Sequence, residues 1–181
     1  MLTRKSTPKQ NGFTLLETAI AILVLATGAL TLASIFVQGL DLMSRGQFDF
    51  IAQQKAAQAI ETVFTARDTK VLTWDQIRNV GGSGGSGIFL NGPQPLVDPG
   101  PDGLVGTADD DTTKPDSITT PGPDNVLGTS DDVVIALRDF TREIQITDIA
   151  PNLRQITVTI RYGVGRSARQ LTLVSYISAF A

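Results

Sequence analysis

From Phe13 to Leu40 the chain runs for 28 residues with one charge, Glu17, and from Thr18 to Val37 it has none. About 20 apolar residues at about 1.5 Å of rise each cross a hydrocarbon core of about 30 Å, so the stretch predicts a membrane-spanning helix. Beyond it the pattern turns amphipathic. Phe48, Ala52, Ala56, Ala59, Ile60 and Val63 recur at three- and four-residue spacing, with Gln53, Gln54, Lys55, Gln58 and Glu61 between them. That spacing predicts one helix from about Thr14 to Ala66, loosened near Gly39 or Gly46, with an apolar stripe free to pack on a sheet. Phe48 and Phe64 at such spacing are core residues and receive no binding role.

The C-terminal third alternates instead. In RQITVTIRY, Ile156, Val158, Ile160 and Tyr162 share one face, and in RQLTLVSYI Leu171, Leu173 and Ile177 share another. The glycine-bearing GVGR between them predicts an antiparallel hairpin with one buried face. VVIAL (133–137) and REIQIT (142–147) predict further strands. The fold class that follows is α+β: a long N-terminal helix, half membrane-spanning and half amphipathic, packed on a C-terminal antiparallel β-sheet. GGSGGSG (81–87) holds neither helix nor strand well and reads as a flexible linker.

Composition narrows the chemistry. The 181 residues carry a formal net charge of −3, but residues 98–132 hold nine aspartates and one lysine. An acidic block of that kind argues against a nucleic-acid binder, which presents a basic face. Neither cysteine nor histidine occurs, which excludes disulfides, thiolate and imidazole metal sites, and serine–histidine triads. With no phosphate-binding glycine loop and no nucleophile paired with a base, the chain reads as a non-enzyme.

The acidic block is a repeat. PGPDGLVGTADD (99–110) and PGPDNVLGTSDD (121–132) align without gaps at an offset of 22 and agree at eight of twelve positions. Pro-Gly-Pro-Asp and Gly-Thr-x-Asp-Asp are turn chemistry. Asp102, Asp109 and Asp110 in the first copy, Asp124, Asp131 and Asp132 in the second, with Asp98 and Asp111 alongside, supply the hard oxygen ligands that calcium takes. The spacing is not that of an EF-hand, and a solvated acidic loop without metal is the competing reading.

The start of the apolar run carries the most specific signal. The leader MLTRKSTPKQNG has Arg4, Lys5 and Lys9 and no acid, a bias that keeps the N-terminus cytoplasmic and sends the remainder across the membrane. The leader is followed by Gly12-Phe13-Thr14-Leu15-Leu16-Glu17, which resembles the cleavage signal of type IV prepilins and type II secretion pseudopilins. The resemblance implies cutting after Gly12 by a prepilin peptidase, N-methylation of Phe13, and residues 1–12 as a leader lost from the mature chain. It also implies a role for Glu17: a carboxylate in hydrocarbon is costly unless paired, and in the family it is thought to neutralise the N-terminal amine of a neighbouring subunit. A carboxylate at headgroup level, stabilising the helix N-terminus through the dipole, is the alternative.

LVLATGALTLA, AQQKAAQAIETV, DFTREIQITDI, LRQITVTIRY and RQLTLVSYIS resemble the helix, stalk and closing strands of PilV-type minor pilins and I-type pseudopilins. Two departures stand out: the apolar span has no proline, and the acidic repeat matches no pilin pattern. The expected organisation is leader 1–12, transmembrane and filament-core helix 13–40, amphipathic helix and connection 41–80, glycine-rich linker and acidic loop 81–132, and sheet head 133–181. The expected role is a minor pilin of a type IV pilus. It sits in the bacterial inner membrane with its head outside the cytoplasm, and its partners are the processing enzyme and other pilins. The alternatives are a secretion pseudopilin and, in another class, a membrane-anchored, calcium-dependent adhesion module that never polymerises.

Overall fold

The computed structural model describes residues 14–82, 84–164 and 167–180, and the chain divides into two compact units, Met1–Ser44 and Arg45–Ala181. Helix α1 covers Leu15–Asp68. Its Leu15–Leu40 portion is long and apolar enough to cross a membrane, and none of its most apolar window is buried within the chain. The hydroxyls of this portion are satisfied by the helix itself. Thr27 and Thr31 donate to the carbonyls of Leu23 and Thr27 at 3.1 and 2.8 Å, and the Gln38 amide donates to Ser34 Oγ at 3.0 Å. Internal satisfaction of polar groups is what a hydrocarbon environment demands. The helix includes Gly39 and Gly46 without a break, where loosening was expected. A helical glycine weakens a helix by about 1 kcal/mol relative to alanine but does not end it.

In the second unit, Ala52, Ala56, Ala59 and Val63 of α1 are completely buried, flanked by Ile51 and Ala66. The stripe shares one core with an antiparallel sheet of β1 (Gln94–Pro95), β6 (Phe140–Ala150), β7 (Leu153–Val164) and β8 (Ser167–Ser178), ordered β1-β6-β7-β8. Ile156, Val158 and Ile160 are completely buried and Tyr162 nearly so, as the alternation predicts. Pairing of β7 with β8 extends from Leu153↔Ser178 to Val164↔Ser167; Gly165 and Arg166 of the expected turn lie outside the described residues.

Between β1 and β6 run β2 (Val97–Asp98) with β3 (Asp111–Pro115), and β4 (Ser117–Thr120) with β5 (Val133–Ala136), as two separate two-stranded pairs. The expected strand at 133–137 therefore exists but does not join the main sheet, and the fourth strand of that sheet comes from the stretch read as linker. β1 is short and lies at the sheet edge because Pro95 has no N–H to donate to a second neighbour.

The glycine-rich segment is likewise tied to the head. Val80 N–H donates to Phe89 O at 2.8 Å and Phe89 N–H to Arg78 O at 3.1 Å. The Asn79 side chain continues the edge of β6, donating to Ile144 O and accepting from Ile146 N–H, both at 2.7 Å. Gly87 is required there, since a β-carbon would stand 2.3 Å from Asn79 O. A linker reading followed from composition; the hydrogen bonds at its two ends make it a closed loop.

Two basic residues sit on the inward faces of the strands. Arg142 and Arg154 are 3% and 0% exposed. The Arg154 guanidinium stacks over the Trp74 ring at 3.9 Å, pairs with Asp148 at 2.7 Å, and donates to the carbonyls of Trp74 and Ile77. Asp148 is itself about two-fifths exposed, so the loss on removing Arg154 comes from its packing against Trp74 and from the Ile77 carbonyl left without a donor. A buried polar group left unsatisfied costs about 1–3 kcal/mol. Arg154→Ala is therefore expected to lower the melting temperature of the head sharply. Arg154→Lys should fall between, keeping the charge but losing the planar fork; thermal unfolding of the detergent-solubilised chain reads both.

Candidate functional site at the helix start and the acidic repeats

Gly12 and Phe13 lie outside the described residues, so the structural account of the N-terminal signal begins at Thr14. The Thr14 hydroxyl accepts the backbone N–H of Glu17 at 3.2 Å, the spacing by which an N-cap threonine satisfies a free donor of the first turn. Glu17 is the acid of that first turn, where the helix dipole favours negative charge. The helix thus starts two residues after the expected cut, with its carboxylate near the N-terminal end of the apolar span.

The acidic repeats form the same loop twice. In the first, Leu104 N–H donates to Asp102 Oδ1 at 2.8 Å, Gly106 N–H to Asp110 Oδ2 at 2.7 Å, and Thr107 Oγ1 to Asp109 Oδ1 at 2.8 Å. In the second, Val126 donates to Asp124 at 2.8 Å, Gly128 to Asp132 at 2.7 Å and Thr129 to Asp131 at 2.6 Å. The threonine hydroxyls hold the Asp109 and Asp131 carboxyls below the usual carboxylate range. Gly103 and Asn125 occupy equivalent left-handed positions, at φ 70° and 58°, and asparagine tolerates that region better than most side chains. At both copies the chain passes so close that a β-carbon on Gly100 or Gly122 would meet the Asp109 or Asp131 carbonyl oxygen at 2.5 or 2.3 Å.

The two copies differ in what they touch. Leu104 and Val105 of the first are each 3% exposed, and its Gly106 carbonyl accepts the N–H of Leu90 at 2.7 Å. Burial pushes the Asp110 carboxyl up, opposed by the Gly106 N–H and the Arg142 charge. The matching Val126 and Leu127 of the second copy are 54% and 61% exposed.

The carboxylates offered as calcium ligands are turned onto the backbone and hydroxyl groups of their own loops. Asp102, Asp109 and Asp110 close the first, Asp124, Asp131 and Asp132 the second, while Asp111 accepts from Thr113 and pairs with Lys114 at 3.3 Å. Asp98 lies opposite Asp111 in the β2–β3 register. Among the described residues no group of three or more histidine, cysteine, aspartate or glutamate side chains stands placed to hold a metal ion.

Charged groups missed in the sequence reading anchor the helix to the head. Lys55, placed among the polar positions, is 9% exposed and pairs with Asp116 at 2.7 Å. Asp49 receives Arg169 at 2.8 Å and the Tyr162 hydroxyl. Burial, with the Asp49 carboxylate adding to it, raises the Tyr162 phenol to about 12, so it remains a donor. Lys55 adjoins Ala52, Ala56 and Ala59 on the helix, and Arg142 and Arg154 sit at even spacing within buried strands. Periodicity was the available signal for all three.

Compared with known proteins, residues 7–33 match the family model described as the prokaryotic N-terminal methylation motif, the hallmark of type IV prepilin-like proteins. The matched segment spans Gly12, Phe13 and Glu17 and most of the apolar Leu15–Leu40 portion of the helix. No curated protein and no solved structure matches the chain.

Proposed function

We propose that this chain is a structural filament subunit, a minor pilin of a type IV pilus. It is inserted in the inner membrane as a precursor, cut after Gly12, methylated at Phe13 and held in the filament through Glu17. The match of residues 7–33 to the methylation motif carries the reading. The uncharged helix beyond Glu17 supports it, since a plain membrane anchor needs neither a peptidase site nor a carboxylate at the head of its span. The basic leader supports a head on the far side of the membrane, by the bias that keeps positive charge in the cytoplasm. Acid–base or metal chemistry has no part in this reading, and the acidic loops serve the head by closing its turns.

Fractionation of the native host tests the assignment. With the prepilin peptidase intact, the chain is expected in the filament material sheared from the cell surface. With the peptidase inactivated, it is expected to leave that fraction and accumulate, longer by the leader, in the membrane. Peptidase-dependent processing with the chain retained in the cell envelope would reassign it to a secretion pseudopilus. Appearance at the surface without processing would remove both filament readings.

A further inference from the structure

Asparagine is a chemically labile residue, and most so when glycine follows it. The backbone nitrogen of the second residue attacks the side-chain amide carbon of the first, and glycine has no β-carbon to obstruct the approach. The sequence holds two such pairs, Asn11–Gly12 and Asn91–Gly92. The first falls in the leader, outside the described residues. The second lies in the head, between the closed glycine loop and β1.

The fold leaves Asn91–Gly92 open. Asn91 is exposed, and a β-carbon built on Gly92 would meet nothing within 4 Å. Gly92 sits at φ 75°, and among the described residues its N–H makes no hydrogen bond. The attacking nitrogen is therefore neither covered nor committed. The Asn91 amide donates to Val80 O at 2.8 Å, and a single surface bond of this kind opens readily. Other candidates in the head are closed. Gly103 follows Asp102, but its N–H donates to Gly100 O at 3.0 Å while the Asp102 carboxylate accepts Leu104 N–H. Asn79 is fixed through both ends of its amide, by Ile144 O and Ile146 N–H. Asn125 and Asn152 precede valine and leucine, whose side chains crowd the attacking nitrogen.

We propose that Asn91 is a self-modification site. The Gly92 nitrogen, giving up its proton, attacks Asn91 Cγ, the bond from Cγ to the side-chain nitrogen breaks, and ammonia leaves. Water then opens the cyclic imide at one of its two carbonyls, to give aspartate or isoaspartate. The balance is amide plus water to carboxylate plus ammonium, with nothing oxidised or reduced. Either product adds a negative charge and removes the donor to Val80 O. Isoaspartate also lengthens the backbone by one carbon just ahead of β1, where the Gln94 side chain donates to Asn91 O at 3.0 Å and Gln94 pairs with Arg142 of β6. The reaction needs only the folded head and water, and holds whether or not the chain polymerises.

Peptide mass spectrometry of the full-length, detergent-solubilised chain tests this after incubation in a mildly alkaline buffer, folded and in denaturant. In the folded chain the Asn91 peptide is expected to exchange its side-chain nitrogen for oxygen at least about tenfold faster than any other asparagine peptide of the head. Both aspartate and isoaspartate should appear. Asn91→Gln, which would have to close a larger ring, should stay unmodified at that position over the same interval. Reaction in denaturant with the folded chain intact would overturn the proposal, because the fold would then protect the site. Aspartate without isoaspartate would overturn it as well, since the imide opens both ways, and so would the absence of reaction in either state.

Discussion

Glu17→Ala is expected to leave the chain in the membrane while reducing its recovery in sheared filaments by at least about tenfold. Insertion is not harmed, because the substitution removes the single charge of an otherwise apolar span, Leu15–Leu40. An acid at the centre of a membrane helix costs about 2.5–3.5 kcal/mol. In the proposed assembly, recovery falls because the positively charged amine of Phe13 in a neighbouring subunit would enter hydrocarbon without its partner. Half of that cost is already a tenfold loss. Helix formation itself should survive, since the cap at Thr14 uses the Glu17 backbone N–H and not its carboxylate. Glu17→Gln keeps size and polarity but not charge, and is expected to follow alanine. Normal recovery of either variant would mean that the carboxylate serves only the helix end.

Gly100→Ala and Gly122→Ala are expected to differ, although they place the same methyl against the same neighbour. In each case the new β-carbon would overlap a backbone carbonyl oxygen at 2.5 Å or less, so the turn must open. Opening the first loop withdraws Leu104 and Val105 from the core, where both are 3% exposed, and the forced rearrangement is expected to destabilise the head by about 2–3 kcal/mol. Opening the second exposes little that is not already exposed, because Val126 and Leu127 face solvent. Its effect is expected below about 1 kcal/mol, confined to local opening of the loop. Chemical denaturation of the two variants side by side reads the difference. Equal losses would mean that the second loop is as much a part of the folded core as the first.

Local periodicity made the long elements legible. A span with one charge can be little other than an apolar helix, and Ile156, Val158, Ile160 and Tyr162 alternate over enough residues to specify a strand and its buried face. The twin loops were also legible as turns, but their aspartates were read first as calcium ligands. Their hydrogen bonds to the loop's own N–H groups and threonines were not foreseen. What one sequence did not reveal was which loop the core receives. Leu104-Val105 and Val126-Leu127 are nearly the same dipeptides in nearly the same motif, and their difference is made by Leu90, Ile144 and the remainder of the head, far away along the chain. The same limit misassigned Val133–Ala136. Four apolar β-formers announce a strand, but its partner, the polar Ser117–Thr120, is too short and hydrophilic to announce itself. Arg154 was overlooked for the opposite reason. It falls in phase with the buried positions of β7, yet an arginine reads as solvent-facing until Trp74, Asp148 and two carbonyls are seen to enclose it.

The central claim, that this chain is processed and assembled as a pilin, is tested most directly by the intact mass of the protein recovered from surface filaments of its native host. The account predicts a chain beginning at Phe13, lacking residues 1–12 and carrying one methyl group on its N-terminal amine, with the formal charge moved from −3 to −6 by loss of Arg4, Lys5 and Lys9. A chain that keeps Met1, or one cut beyond residue 30, would contradict it.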